Sequence, residues 1–357
     1  MHYCIQHLND LSGSPLILRE RLDAMAAAGP VTLITNQTDG FLSSWQGPTV
    51  RFRYVKHDGR LRRFLSLSIW YLNVAVYLLR HLAAGDRVTI STLISSPLLA
   101  IVRFYRDVRA EILINEIFFR VPIWRALGLA MVRSDRVHKI YLSRFVEERW
   151  GFGAPSEIVY PGLRRDLIAL SDAMATPPRK DRDRLNFFLV GSQIEAKGYR
   201  LFIDIARHYA AVGAAHRFQL YLSGNSARFA ADYPAARLPA NLTVRFNDSS
   251  PEIFADKDVF LGLTNPDLWL ETFGQTFAEA MMMANIVVVP DKGAQCEYIV
   301  DGVSGFMFKD YSVAGIVAQI DAIRAHADLD ALALAARQAI RGFYGLARPA
   351  SPAHGQG

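Results

Sequence analysis

The chain has 357 residues, a length that allows two domains, each with a hydrophobic core of its own. Hydrophobic residues make up 51% and charged residues 21%, which is the composition of a globular protein and excludes an intrinsically disordered one. The two cysteines, Cys4 and Cys296, are too far apart in sequence to form a metal or redox motif. Because the first residues show no secretory pattern either, we expect a cytoplasmic protein.

The net charge of +6 is unevenly distributed. Residues 1–170 carry 22 Lys and Arg against 14 Asp and Glu, whereas the remaining residues carry 18 against 20. A basic half is typical of a surface that faces an anionic partner or a membrane. We therefore expect a peripheral contact with the anionic inner face of the cytoplasmic membrane; scattered, solvated arginines are the alternative.

The first half of the chain alternates short apolar runs with helical patterns. Strands are predicted over 31–36, 87–92, 110–115, 138–143 and 157–162, and helices over 16–29, 64–82, 96–108 and 144–152. Mostly apolar strands that alternate with helices indicate a parallel sheet covered on both faces.

The segment 59–82 is a strongly apolar predicted helix. Sixteen uncharged residues separate Arg63 from Arg80, fewer than the ~20 needed to span a bilayer. A buried core helix is the favoured interpretation. Attachment to a membrane surface through Arg60, Arg62 and Arg63 is the alternative.

The second half repeats the alternation after an interruption. Pro177-Pro178 and a run of charges within 167–185 indicate a linker. Strands then follow at 185–191, 218–224, 242–247, 259–264 and 285–290, with helices at 198–213 and 275–284. The predicted organisation is an N-terminal domain over 1–166, a linker over 167–185, a C-terminal domain over 186–345 and a disordered tail over 346–357.

Two stretches of the second half have the features of a ligand site. Residues 191–198, GSQIEAKG, join a strand to a helix, where free backbone N–H groups and Lys197 favour a phosphate, although a solvated loop lysine is the alternative. Residues 271–290, ETFGQTFAEAMMMANIVVVP, place Glu271 in a loop and Glu279 in the first turns of a helix. At 1.5 Å rise per residue the two carboxylates lie up to ~12 Å apart. That separation suits the two ends of one long ligand; a Glu271 at the N-terminus of a helix with a solvated Glu279 is the alternative.

The order and spacing of these motifs resemble the retaining GT-B glycosyltransferases of group 1, or GT4. The matching strings are GSQIEAKG at 191–198, ETFGQTFAEAMMMANIVVVP at 271–290 and GAQCEYIVDGVSG at 293–305, and the resemblance extends over nearly all of 1–320. It implies an α/β protein of two Rossmann-like domains that face a cleft. It also implies transfer of a hexose from a nucleoside-diphosphate sugar to a hydroxyl of a glycan or lipid-linked glycan with retention, in cell-surface polysaccharide or lipopolysaccharide synthesis.

The resemblance further implies roles for residues of the second half. Glu279 is implied to hold the ribose hydroxyls and Glu271 the transferred sugar, while the backbone around Phe273, Gly274 and Gln275 is implied to contact the sugar and the diphosphate.

The loop 191–198 departs from the family at one position. Lys197 matches the lysine of the family's diphosphate clamp, in the loop that Gly191 opens. Ser192 stands where the family has an arginine, which removes a bidentate donor that Arg200 or Arg228 would have to replace.

In the first half, Ser12-Gly13-Ser14 stands where the family has a glycine pair, and Gly13 is implied to let the backbone approach the diphosphate. A plain turn with a serine capping the helix is the alternative. Glu116 lies where many relatives carry a histidine that faces the reacting sugar, and we expect it to contact the acceptor. The predicted catalytic residues are therefore Glu271, Lys197 and Glu116.

No cofactor, metal or nucleic acid is expected as a partner. The two D-x-D strings, Asp181 to Asp183 and Asp256 to Asp258, lie in a charged linker and before a buried strand, and we interpret both as chance. Two other functions stay open. One is a non-catalytic nucleotide-sugar-binding subunit, favoured by Ser192 and a short C-terminal helix. The other is a UDP-sugar epimerase, which would need additional acid–base groups.

Overall fold

The computed structural model describes residues 1–55, 59–105, 107–117, 122–174 and 179–346. The chain divides into two compact units, Met1–Gly162 and Leu163–Gly357. The predicted disordered tail lies outside the described residues from position 347 onward.

The first unit alternates strands and helices along its whole length. Its strands are β1 (His2–Ile5), β2 (Val31–Asn36), β3 (Thr49–Phe52), β4 (Arg87–Ile90), β5 (Arg109–Ile114), β6 (Val137–Tyr141) and β7 (Ser156–Ile158). Its helices are α1 (Gly13–Ala28), α2 (Arg60–His81), α3 (Leu99–Val102), α4 (Pro122–Val132) and α5 (Arg144–Trp150). The strands form one parallel sheet with the order β3-β2-β1-β4-β5-β6-β7.

The first sheet has a buried centre and a solvated edge. Strands β1 and β2 are buried at every position, and Leu18 and Leu22 of α1 pack in a common core with Cys4 and Leu33 of these strands. Strand β3 at the edge alternates exposed and partly buried residues. A parallel sheet covered by helices on both faces requires apolar central strands, which is what the sequence predicts.

The second unit repeats the pattern. Its strands are β8 (Asn186–Ser192), β9 (Arg217–Ser223), β10 (Leu242–Phe246), β11 (Val259–Leu261), β12 (Ile286–Pro290) and β13 (Phe306–Phe308). Its helices are α6 (Arg165–Ala173), α7 (Tyr199–Ala211), α8 (Ser226–Asp232), α9 (Gln275–Met282), α10 (Val313–Ala325) and α11 (Leu329–Phe343). These strands also form one parallel sheet, with the order β10-β9-β8-β11-β12-β13.

The segment predicted as a linker, 167–185, has a different structure. It begins inside helix α6, which belongs to the second unit: Leu167 is fully buried and the Ser171 hydroxyl donates to the Met282 carbonyl at 2.7 Å. Further on, Lys180 is buried beside Asp258, with Nζ 3.5 Å from the carboxylate. The many charged residues of the segment hide, at the level of the sequence, the apolar face of helix α6. Pro177-Pro178 lies outside the described residues.

Helix α2 is the longest helix of the described ranges. In those ranges no helix combines the length and the apolar character needed to cross a bilayer.

Candidate active site

Each sheet has one point where its strand order reverses, which we call its switch point. In the second sheet, the connections of β8 and β11 lead in opposite directions, because β8 is followed by β9 on one side and β11 by β12 on the other. Ligands of open parallel sheets bind outside the carboxyl ends of the strands at such a point. The loops after β8 and β11 carry Lys197, Thr264 and Glu271.

These three side chains are in direct contact. Lys197 Nζ donates to Glu271 Oε1 at 2.5 Å, and the Thr264 hydroxyl donates to the same oxygen at 2.6 Å. The side chains of Lys197 and Glu271 are only 22% and 11% exposed, and Lys197 Nζ lies 5.6 Å from the centre of the Trp269 ring. A charge-assisted hydrogen bond in such a partly buried place is stronger than a pair in open solvent. The structure thus brings together two residues that the sequence assigns to neighbouring parts of one ligand.

A glycine fixes the position of Lys197. Gly198 has φ +75°, and a Cβ atom added to it would lie 1.9 Å from the Leu263 carbonyl oxygen at the end of the β11 run. The amide of Asn265 also donates to the Ala196 carbonyl at 2.8 Å. The loop after β8 therefore rests directly on the loop after β11, an approach that only glycine permits.

The loop that leads into α9 is held by a tyrosine. Gly274 has φ +81°, and a Cβ there would meet the Tyr298 hydroxyl at 2.9 Å. That hydroxyl lies 2.9 Å from both the Phe273 and the Gly274 carbonyl oxygens, so one donor serves two acceptors. Phe273 as a whole residue is buried, and its ring centre lies 5.2 Å from that of Tyr298. Gln275 is the first residue of α9, and the N-terminal end of a helix favours an anion.

Glu279 lies within α9 and is 4% exposed, and Glu271 is buried as well. The alternative of a solvated Glu279 is therefore wrong. Burying a carboxylate is costly unless it has partners. Two buried carboxylates, one in a loop and one in the helix that follows it, are therefore expected in a ligand-binding site and not on a surface helix.

Ser192 stands where the family has an arginine, and neither Arg200 nor Arg228 takes the place of that arginine. Ser192 is the last residue of β8. Arg200 lies 3.9 Å from Glu195 through a half-exposed side chain, and Arg228 is exposed on α8. A Cβ at Gly191 would make ordinary contact with Lys197 at 3.6 Å, so the fold itself does not demand glycine there.

The first sheet reverses its order between β1 and β4, and neutral polar groups gather at the carboxyl ends of β1, β4 and β5. Gln6 Nε2 and Asn115 Nδ2 both donate to the Ser14 hydroxyl oxygen, at 2.8 Å and 2.6 Å. The His7 ring lies 3.4 Å from the Thr92 hydroxyl oxygen, through Nδ1. These groups can bind hydroxyls without carrying a fixed charge.

Glu116 follows β5 in the same unit. Its Oε2 accepts the Leu93 N–H at 3.0 Å. Although the residue is partly exposed, burial of its carboxyl raises the pKa of Glu116 to about 8, against the opposing effect of that N–H. At neutral pH Glu116 is therefore protonated, which suits a hydrogen-bond donor to an acceptor hydroxyl and not a general base.

The serine–glycine turn before α1 differs from the capping alternative. Ser12 precedes α1 but its side chain makes no capping bond; its backbone N–H donates to Asp10 Oδ1 at 3.0 Å, and its hydroxyl bonds to the same oxygen. A Cβ at Gly13 would meet no atom within 4 Å. Space for a closely approaching ligand is thus present at Gly13, although the fold does not require a glycine.

The second D-x-D string, Asp256 to Asp258, has a structural explanation. Asp258 accepts the Asn186 N–H at 2.7 Å and faces Lys180, so it ties β8 to the segment before β11. Across the described ranges, no group of three or more His, Cys, Asp or Glu residues could hold a metal ion.

Sequence reasoning missed Thr264, Tyr298, Gln6 and His7. Thr264, Gln6 and His7 share a signal that could have found them, since each is a polar residue just after an apolar strand of a parallel sheet. Tyr298 shows no such signal, because its contact with the loop at Gly274 depends on the fold.

The family model of the group 1 glycosyl transferases matches residues 171–333, a range that includes Lys197, Glu271 and Glu279. The resemblance to the group 1 glycosyl transferases stated from the sequence is thereby confirmed over this range. A comparison with curated proteins finds no match.

Solved structures of several GT-B glycosyltransferases are similar to this chain in fold. Sucrose-phosphate synthase from Thermosynechococcus elongatus is similar with a TM-score of 0.73 at 15% identity, over 96% of this chain and 94% of that one. HepE of Anabaena, in complex with UDP and glucose, has a TM-score of 0.72 at 13% identity over the same shares. A mutant of TarM from S. aureus, in complex with fondaparinux, α-GlcNAc-glycerol and UDP, has a TM-score of 0.69 at 11% identity, over 96% of both chains. These similarities confirm the predicted fold of two Rossmann-like domains.

Proposed function

We propose that the protein is a retaining, GT4-like glycosyltransferase that moves a hexose from a nucleoside-diphosphate sugar to an acceptor hydroxyl. The observation that carries the proposal is the contact of Lys197, Thr264 and Glu271 at the switch point of the second sheet. The match of this unit to the group 1 glycosyl transferases supports a sugar donor, and the UDP complexes of HepE and TarM support a nucleotide sugar.

In this proposal each group at the second switch point has one task. Lys197 neutralises the diphosphate as the bond from its oxygen to the anomeric carbon breaks, and Glu271 accepts hydrogen bonds from the sugar hydroxyls beside it. The backbone at Phe273, Gly274 and Gln275 presents N–H groups to the same anion, and Glu279 holds the ribose. Fixed groups aimed at a developing charge supply most of the catalysis in such a site.

The new bond forms between the acceptor oxygen and the anomeric carbon on the face that the diphosphate leaves. The acceptor proton passes to the departing phosphate oxygen, so charge and atoms balance without a further reactant. This front-face course is what the family resemblance implies.

The acceptor is proposed to be a glycan or a lipid-linked glycan of cell-surface polysaccharide or lipopolysaccharide synthesis, used at the cytoplasmic face of the membrane. The neutral hydrogen-bonding groups around Ser14 and the protonated Glu116 support a hydroxylated acceptor. The excess of basic residues in 1–170 supports an anionic surface nearby.

A donor panel tests the proposal. UDP, GDP, ADP and dTDP sugars are screened by thermal shift, and release of the nucleoside diphosphate is followed for each one that stabilises the protein. The expected result is one preferred base with slow release that depends on Lys197. Binding without any release would indicate a non-catalytic subunit, conversion of the sugar without release would indicate an epimerase, and no binding would overturn the proposal.

A further inference from the structure

Helix α2 has two apolar faces, only one of which is covered. The inner face packs into the first unit through Leu67, Trp70, Tyr71, Val74 and Leu78, none more than 5% exposed. The outer face carries a second row of apolar side chains, each between 37% and 70% exposed. Its members, which we call the outer stripe, are Leu61, Leu65, Ile69, Leu72, Val76 and Leu79.

The outer stripe is continuous along the helix. Its members are spaced by four, four, three, four and three residues, the spacing that keeps side chains on one face. From Leu61 to Leu79 the stripe is about 27 Å long at 1.5 Å per residue. Scattered exposed apolar residues need no explanation, but an ordered apolar row of this length marks a binding surface.

The charges of α2 indicate what covers the stripe. The helix contains four arginines and no acidic residue, and Arg62 and Arg80 are exposed at its two ends. We infer that α2 lies flat on an anionic lipid surface, with the outer stripe among the acyl chains and Arg62 and Arg80 at the headgroups. A helix that lies in the interface combines an apolar face with basic residues in this manner.

A second copy of the chain is the competing occupant, because from Leu65 to Leu79 leucines and β-branched residues alternate in the stripe as they do at the a and d positions of a coiled coil. Pairing two copies of α2 would, however, bring together helices that contain arginines and no acid to neutralise them. Anionic headgroups neutralise these charges, so the charge pattern favours the membrane.

The inference concerns a surface of the first unit and is independent of the donor chemistry proposed for the second. It explains why a helix that cannot span a bilayer nevertheless exposes six large apolar side chains.

Vesicle co-sedimentation of the full chain tests the inference. We expect binding to phosphatidylcholine vesicles that contain phosphatidylglycerol, weaker binding to phosphatidylcholine alone, and loss of the difference at high salt. The double variant Ile69→Gln/Leu72→Gln should bind the anionic vesicles on the order of tenfold more weakly, since two large side chains no longer leave water. Because both positions are exposed, thermal unfolding and binding of UDP should stay as in the wild type.

The matched control is Val212→Gln/Leu334→Gln, which removes two exposed apolar side chains from the second unit. An equal loss in the control, or equal binding to neutral and anionic vesicles, overturns the inference. So does a stable dimer in sedimentation equilibrium that the Ile69→Gln/Leu72→Gln variant splits, since the stripe would then be a subunit interface. Failure to bind UDP would count against the proposed function and not against the membrane surface.

Discussion

The switch points of the two sheets carry different chemistry on the same topology. At the second, an ammonium and a buried carboxylate meet at 2.5 Å, Lys197 against Glu271. At the first, Gln6 and Asn115 converge on the Ser14 hydroxyl, and Glu116, which follows Asn115, is kept protonated at neutral pH. A diphosphate favours a fixed positive charge, whereas hydroxyls can also be bound by neutral donors and acceptors. The fold therefore sets where ligands bind, and the residues after each strand decide which ligand.

The two switch points also differ in how tightly the backbone is defined. In the second unit, Gly198 and Gly274 sit in left-handed conformations against Leu263 and Tyr298, with no room for a side chain. In the first unit, Gly13 opens onto free space at the start of α1. A site that stabilises a leaving group gains from rigid placement, while a site that admits an acceptor does not need it.

Removal of the positive charge should produce the largest effect. We expect Lys197→Ala to lower donor turnover by about two orders of magnitude, because one charge-assisted contact to a leaving group supplies a few kcal/mol. Steady-state release of the nucleoside diphosphate measures it. Lys309→Ala, which removes an exposed lysine of the same unit, is the matched control and should leave kcat/KM unchanged. A Lys197→Ala variant with wild-type kcat/KM would show that the Lys197 charge does not stabilise the leaving group.

A smaller effect is expected from the tyrosine that holds the loop at Gly274. Tyr298→Phe removes one hydroxyl that bridges two carbonyl oxygens at 2.9 Å and keeps the ring. The loss of about 1 kcal/mol corresponds to about a fivefold weaker affinity for the donor and for bare UDP. Calorimetry with UDP checks this prediction. Tyr311→Phe, outside the loop, serves as control, and equal affinities of Tyr298→Phe and wild type would show that the backbone is held by other contacts.

The protonated acid of the first unit should affect stability and not donor binding. Between about pH 4.5 and 8, Glu116 has lost its proton in the unfolded chain but keeps it in the folded chain. The contribution of Glu116 to the free energy of unfolding therefore falls as the pH rises through this window. Glu116→Gln mimics the protonated form. We expect it to raise Tm by roughly 2–4 °C at pH 8 and to leave Tm unchanged near pH 4.5.

Scanning calorimetry across that pH range gives the comparison, with Glu148→Gln as a control on an exposed carboxylate of the same unit. A constant Tm difference between Glu116→Gln and wild type at all pH values would mean that the Glu116 carboxyl titrates normally.

Much of the fold could be predicted because apolar runs coincide with central strands. The predicted strands 31–36, 110–115 and 285–290 coincide with β2, β5 and β12 to within one residue at either end, and β2 and β12 are buried at every position. Strand β3 was missed since it lies at an edge, where residues alternate and the apolar signal is weak. The predicted helix 96–108 is shorter in the structure: a 3-10 helix occupies Leu93–Leu98, with Pro97 inside it, and α3 adds only one turn.

The residues of the site could be predicted from the sequence, but the contact between the Lys197 and Glu271 side chains could not. Lys197 and Glu271 are identified from motifs 74 positions apart, and no local pattern shows that they meet. Their meeting depends on Gly198 lying against Leu263, a long-range approach that periodicity cannot reveal. The same limit applies to the outer stripe of α2: the sequence shows an apolar helix, and only the packing shows that six of its large apolar residues stay exposed.

The central claim is that the two buried glutamates hold different parts of one nucleotide sugar. Titration calorimetry of bare UDP, or of whichever nucleoside diphosphate the donor panel selects, set beside transfer rates, tests it most directly. Glu279→Ala should bind the nucleotide about ten- to a hundredfold more weakly, because a carboxylate that accepts hydroxyl hydrogen bonds contributes roughly 1.5–3 kcal/mol. Glu271→Ala should bind the nucleotide almost normally and transfer poorly, since its contact is with the sugar. Equal loss of nucleotide affinity in both variants would contradict the account, because the two glutamates would then only support the fold.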